Sequence, residues 1–147
     1  MEILGIASDH AGFPLKERLR AALTAEGYDV RDFGAFAADV PVDYPDHAHP
    51  LAAAVEAGAL PRAIALCGTG NGMAITLNRH RGVRAGLCWL PEIATLIRRH
   101  NNANVCVIPA RFIDEATAAE VVAAFLNTPF DGGRHQRRID KIAQPEL

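Results

Sequence analysis

The sequence predicts an α/β protein built on a five-stranded parallel sheet. Two observations carry that expectation. Five short apolar runs alternate with helix-period stretches across the 147 residues. One run ends in a glycine-rich turn, Cys67-Gly68-Thr69-Gly70-Asn71-Gly72, that leads into a helical stretch. Such alternation implies right-handed strand–helix–strand crossovers, which leave helices on both faces of one sheet. The expected architecture is one domain over residues 1–147, a Rossmann-like (flavodoxin-like) three-layer sandwich without linker, repeat or low-complexity tract.

The elements follow in order. Residues 2–7 read as the first strand. Pro14 suits a first helical turn, and Leu15, Leu19 and Leu23 recur at i, i+4 and i+8 until Gly27. Residues 28–33 alternate as strand two. After a loop, residues 45–58 form an alanine-rich helix whose start is left open by Pro50. Strand three covers 62–66 and its helix 72–80. Strand four covers 83–89, and Pro91 opens a helix that runs to His100. Strand five covers 104–108. Asp114 caps a helix with Ala118, Val121, Val122, Phe125 and Leu126 on its apolar side, and Pro129 ends it. A basic segment, 133–142, closes the chain as a short helix.

Composition narrows the function classes. A net charge of −2 argues against a dedicated nucleic-acid binder, though not against a local basic pocket. Cys67, Cys88 and Cys106 are odd in number and lack zinc-like spacing, so reduced thiols in a cytoplasmic protein are expected, with Cys88 and Cys106 as core residues. No basic leader precedes the first strand, and no apolar run is long enough to cross a bilayer, so no membrane association is expected.

In parallel sheets of this kind, ligands bind beyond the carboxyl ends of the strands. Asp9 and His10 fall there after strand one, Cys67 to Gly72 after strand three, and Arg111 after strand five. A glycine turn entering a helix collects backbone N–H groups at one point, and a thiol beside them sits where negative charge is favoured. The turn lacks the G-x-G-x-x-G order and the P-loop lysine. Its alternative role is a tight structural turn, with Thr69 as a capping hydroxyl rather than a proton shuttle. Arg134 and Arg138, at i and i+4, face one way on a helix and make either a phosphate clamp or a solvated basic tail. His100 ends a helix that began at the carboxyl edge, so it falls at the opposite edge, far from Cys67. It is then either a helix C-terminal cap or a contributor to a neighbour's site, which requires an oligomer.

Ser8-Asp9-His10-Ala11-Gly12, Asp43-Tyr44-Pro45, Cys67 to Gly72, Arg99-His100-Asn101-Asn102-Ala103-Asn104 and Gly133 to Arg138 occur in this order over nearly the whole chain. Together they resemble ribose-5-phosphate isomerase B, in the wider group that includes galactose-6-phosphate isomerase subunits. The resemblance implies a metal-free, cofactor-free interconversion of ribose 5-phosphate and ribulose 5-phosphate through a cis-enediolate. It also implies a homodimer, sometimes paired into a tetramer, with sites at the dimer interface. Cys67 is then the base between C1 and C2, and His100 of the partner subunit the proton donor that opens the furanose ring. Asp9 contacts sugar hydroxyls and Thr69 assists proton traffic. Asn101 and the amides of Gly68, Thr69, Gly70, Asn71 and Gly72 hold the enediolate oxygens, while His10, Arg111, Arg134 and Arg138 surround the phosphate. Some relatives carry a glutamate where Met73 stands and lack the cysteine; this chain has the cysteine arrangement. Asn71, residues 77–80 and Pro109-Ala110 depart from the commoner pattern and leave other sugar phosphates as alternatives: a tetrose 4-phosphate, or an allose or galactose 6-phosphate. A non-catalytic phosphate- or nucleotide-binding module is the alternative from another class. A thiol redox role is disfavoured by the missing Cys-x-x-Cys pair.

Overall fold

The computed structural model describes residues 1–143. Residues 144–147, the end of the expected domain, lie outside the described residues. The elements are β1 (Ile3–Ser8), α1 (Phe13–Ala25), β2 (Asp29–Asp32), α2 (Tyr44–Glu56), β3 (Arg62–Cys67), α3 (Asn71–Leu77), β4 (Ala85–Leu87), α4 (Pro91–Asn101), β5 (Val105–Pro109), a 3-10 turn at Ala110–Phe112, α5 (Glu115–Asn127) and α6 (Arg134–Ile142).

The five strands pair in parallel, in the order β2-β1-β3-β5-β4. The chain steps outward from β1 to β2, returns past β1 to β3, skips a place to β4, and comes back to insert β5. Right-handed crossovers then dictate the layers. Helices α1, α4 and α5 cover one face, where Leu19, Leu23, Ala94, Val121 and Phe125 pack on Leu4, Ile6, Ile64, Cys106 and Ile108. Helices α2 and α3 cover the other, where Leu51, Val55, Met73 and Leu77 pack on Ala7, Ala63, Ala65, Val105 and Val107. Cys88 and Cys106 are buried core thiols, as expected.

Register places the site. Ser8 lies opposite Leu66, and Cys67 opposite Pro109. The segments after β1, β3 and β5 therefore leave the sheet at one level. The direction reverses between β1 and β3, and a crevice opens at such switch points.

Most boundaries fall within one or two residues of expectation, and the larger differences have physical reasons. Helix α2 begins at Tyr44 and carries Pro50 in its interior. An interior proline costs about 3 kcal/mol or more, and burial of Ala48, Leu51, Ala52 and Val55 offsets it. Helix α3 ends at Leu77 rather than residue 80 because Asn78 pairs with the chain ahead: its Nδ2 donates to the Ala85 carbonyl (2.9 Å) and its Oδ1 accepts the Ala85 amide (2.8 Å). That clasp draws the backbone out of the helix toward β4. Strand β4, expected over 83–89, spans Ala85–Leu87 at the sheet edge and, among the described residues, pairs with β5 alone. Asp114 caps α5 as expected, its Oδ1 accepting the Thr117 amide at 2.7 Å. Among the described residues, no helix is long and apolar enough to cross a membrane.

Candidate active site

At the carboxyl edge, Cys67 ends β3 with only 4 % of its surface exposed. The loop after it turns sharply because Gly70 adopts a left-handed conformation, φ +79°. That backbone favours glycine, and a β-carbon there would also force the tip of the Leu87 side chain to move. The amides of Gly68, Thr69 and Gly70 have no acceptor among the described residues, which leaves three donors beside the thiol. The Asn71 amide is already used: it donates to Thr69 Oγ1 at 3.2 Å. Thr69 Oγ1 thus braces the turn, although the cap residue of α3 is Gly70 and not Thr69, and its hydroxyl proton stays available as a donor.

Asp9 is buried, and its Oδ1 accepts the Gly12 amide at 3.0 Å. The cap residue of α1 is Gly12. The carboxylate therefore holds the loop between β1 and α1 and keeps its second oxygen for a ligand. His10 Nδ1 accepts the Val42 amide at 3.1 Å. That bond assigns the neutral ring's proton to Nε2, the outward nitrogen. The buried Ser8 hydroxyl finds no partner among the described residues, a further polar group at the end of β1. Arg111 follows β5, with its backbone tied to the Gly68 carbonyl (3.0 Å) and its exposed guanidinium carried over the glycine loop.

The remaining predicted residues lie at the other edge. His100 and Asn101 end α4, and Arg134, His135 and Arg138 project from α6; with Ile139 and Ile142 they line a groove of about 370 Å3. The groove adjoins a cavity of about 510 Å3 that shares Asn101, Ile139 and Ile142 and is bordered by Arg79, His80 and Arg84. β3 has six residues, so the edges stand about 17 Å apart at about 3.3 Å per residue. Within one chain, then, Asn101 cannot act on the same atoms as the Gly68 amide, nor Arg134 and Arg138 on the same phosphate as His10 and Arg111. The structure brings the candidates together as two clusters.

Two residues that the sequence did not assign take part in this geometry. Tyr44 was visible only as part of the Asp43-Tyr44-Pro45 motif; its ring covers Gly72 so closely that a β-carbon there would meet it. His135 was visible only as a member of the basic run. It is buried and stacks on His100, ring centroids 4.4 Å apart and planes 15° from parallel. Burial, and then the charges of His100, Arg134 and Arg138, make His135 harder to protonate than an ordinary histidine, opposed by Asp131. His100, Asp131 and His135 bring potential ligand atoms within 4.8 Å of one another. Near-parallel rings, however, send their in-plane lone pairs side by side rather than onto one ion, and two arginines add positive charge. This is a stacked pair and not a prepared cation site.

A family profile described as Ribose/Galactose Isomerase matches residues 4–142. The chain is 37 % identical over 146 residues to ribose-5-phosphate isomerase B of Escherichia coli, covering 99 % of this chain and 97 % of that one. A crystal structure of the ribose 5-phosphate isomerase of Thermotoga maritima superposes with a TM-score of 0.96 at 47 % identity, covering 98 % of this chain and 99 % of the other. Ribose-5-phosphate isomerase B of Mycoplasma genitalium, solved with bound ribulose-5-phosphate, superposes at 0.91 with 40 % identity over 95 % and 93 % of the two chains. With all five sequence motifs inside the matched span, the chain belongs to the ribose/galactose isomerase family of enzymes.

Proposed function

We propose that this protein interconverts ribose 5-phosphate and ribulose 5-phosphate, and that each site is completed by a second copy of the chain. One observation carries the reading. The carboxyl edge holds a thiol, a carboxylate and unfilled amide donors, while the His100–Arg138 groove, with the matching acid and cations, lies on the opposite edge. Neither cluster suffices alone. Exposed Phe36, Trp89 and Phe112 follow β2, β4 and β5 at the carboxyl edge and give a partner apolar surface to cover.

In this reading His100 of the partner subunit protonates the ring oxygen as the anomeric hydroxyl loses its proton, which opens the furanose to the aldehyde. The Cys67 thiolate removes the hydrogen on C2, and the C–H electron pair moves into the C1–C2 bond while the carbonyl pair moves onto O1. The resulting enediolate carries its negative charge against the amides of Gly68 and Gly70. Donors fixed in advance at such a position are worth about 3–4 kcal/mol each. The proton returns from sulfur to C1, and O2 becomes the new carbonyl as its proton passes to O1 with help from Thr69. Asp9 orients the sugar hydroxyls, and Asn101 of the partner subunit adds a donor. Arg134 and Arg138 of the partner subunit join His10 and Arg111 around the phosphate, whose binding energy orients the reacting carbons. No step uses a metal or cofactor, so activity is expected to survive chelation.

Subunit mixing tests this. Cys67→Ala and His100→Ala proteins should each be inactive. In an equal mixture half the dimers are hybrids, and each hybrid has one intact site, so about a quarter of wild-type activity should return. No recovery after mass spectrometry has confirmed exchange would refute the shared site.

A further inference from the structure

We propose that His135 is the positioning residue for His100: its ring, buried where α6 meets α4, lies flat against the His100 imidazole and sets the direction in which that ring presents its proton. The inference rests on the reading of His100 as the ring-opening donor.

The geometry supports it in three ways. The planes are 15° from parallel and the centroids 4.4 Å apart, which is the offset contact of two aromatic rings and restricts rotation of His100 about its side-chain bonds. His135 is buried while Arg134 and Arg138, one position before and three after, are exposed. The same helix therefore turns its cationic pair out into the groove and lays its histidine, deeper in that groove, on His100, so that the stacked contact links the phosphate clamp to the ring-opening group. The charges around the pair are arranged unequally. Burial first, then His100 on α4 and Arg134 and Arg138 on α6, disfavour a proton on His135, and Asp131 from the preceding loop favours one. A ring that resists protonation beneath His100 keeps a second positive charge away from the group that has to donate.

A variant background isolates the step. Cys67→Ala protein cannot isomerise, but an intact His100 should still open and reclose the furanose, so it should speed exchange between the α and β anomers of ribose 5-phosphate, measured by NMR exchange. Adding His100→Ala should abolish that acceleration. Adding His135→Ala should lower it about tenfold, with the Kd for inorganic phosphate changed less than twofold because the arginines remain. Adding His135→Phe, which keeps a flat ring in place, should restore most of it. Loss of phosphate affinity in step with anomer exchange would show a merely structural role and overturn the proposal. So would full exchange in the His135→Ala protein, or a His135→Phe protein as slow as His135→Ala. If Cys67→Ala alone gives no acceleration over buffer, the His100 assignment itself falls, and the positioning role with it.

Discussion

Arg111 folds back over Gly68: its Cδ and Nη1 each lie 3.4 Å from where a β-carbon on that glycine would stand, while its backbone amide donates to the Gly68 carbonyl at 3.0 Å. The loop beside Cys67 and a phosphate-binding candidate are thus tied at both backbone and side chain. Gly68 has no left-handed backbone requirement, and a β-carbon there would meet Arg111 only at ordinary contact distance, so Gly68→Ala should fold normally and keep the guanidinium in place. The expected result is little change in KM or in the thermal midpoint, read from initial rates and a melting curve; a strong rise in KM would show that the loop beside Cys67 tolerates no side chain.

Gly70 should behave differently. Alanine at a left-handed position costs about 1–2 kcal/mol, and here its β-carbon also meets Leu87. Gly70→Ala should lower stability by about 2–3 kcal/mol, or about 5–10 °C in Tm for a chain of this size. A midpoint within 1 °C of wild type would show that the loop relaxes freely.

Arg134→Ala or Arg138→Ala should weaken substrate binding. A hydrogen bond to a charged group is worth about 1.5–3 kcal/mol, so KM should rise about ten- to a hundredfold with kcat largely kept. A loss confined to kcat would remove these residues from the phosphate.

Lys16 is fully buried, yet its Nζ reaches both Asp32 oxygens (2.9 and 2.8 Å) and Glu17 Oε2 (3.0 Å). Asp32 also accepts the Gly34 amide at 2.9 Å, so the pair anchors the loop that carries Val42 to His10. Removing Lys16 leaves Asp32, among the cations of the described residues, only the longer contact to Arg20 Nε at 3.8 Å, and a partly buried charge that loses its nearest partner is costly. Because Asp32 is 21 % exposed at its side chain, the cost of Lys16→Ala should be about 2–3 kcal/mol, measured by urea denaturation.

Acid should destabilise the protein in two windows. Hydrogen bonding to Arg20, aided by Lys16, lowers Glu17 from its ordinary 4.5 to about 2. The unfolded chain then binds the proton first, so stability present above pH 4.5 is lost as pH falls toward 2. His135 is lowered from an ordinary 6.5, chiefly by burial. Its contribution is complete above pH 6.5 and declines below it, again because the unfolded chain takes the proton more readily. Glu17→Gln should flatten the lower window and His135→Phe the upper one. Curves that match wild type in both variants would dissociate these groups from acid unfolding.

Local chemistry is legible in the sequence itself. Alternating apolar runs demand strands and helices wherever they fold, Asp114 caps its own helix three residues on, and Cys67 meets its amides because they follow it directly in the chain. His100 falls at the opposite edge from Cys67 by helix direction alone, which a sequence pattern reveals. The exchange of β5 into the place before β4, the survival of Pro50 inside α2, Tyr44 over Gly72 and His135 against His100 belong to the tertiary structure. Each is a contact or an energy offset between segments far apart in the chain, decided by how the layers bury one another's apolar faces. No local propensity encodes that balance.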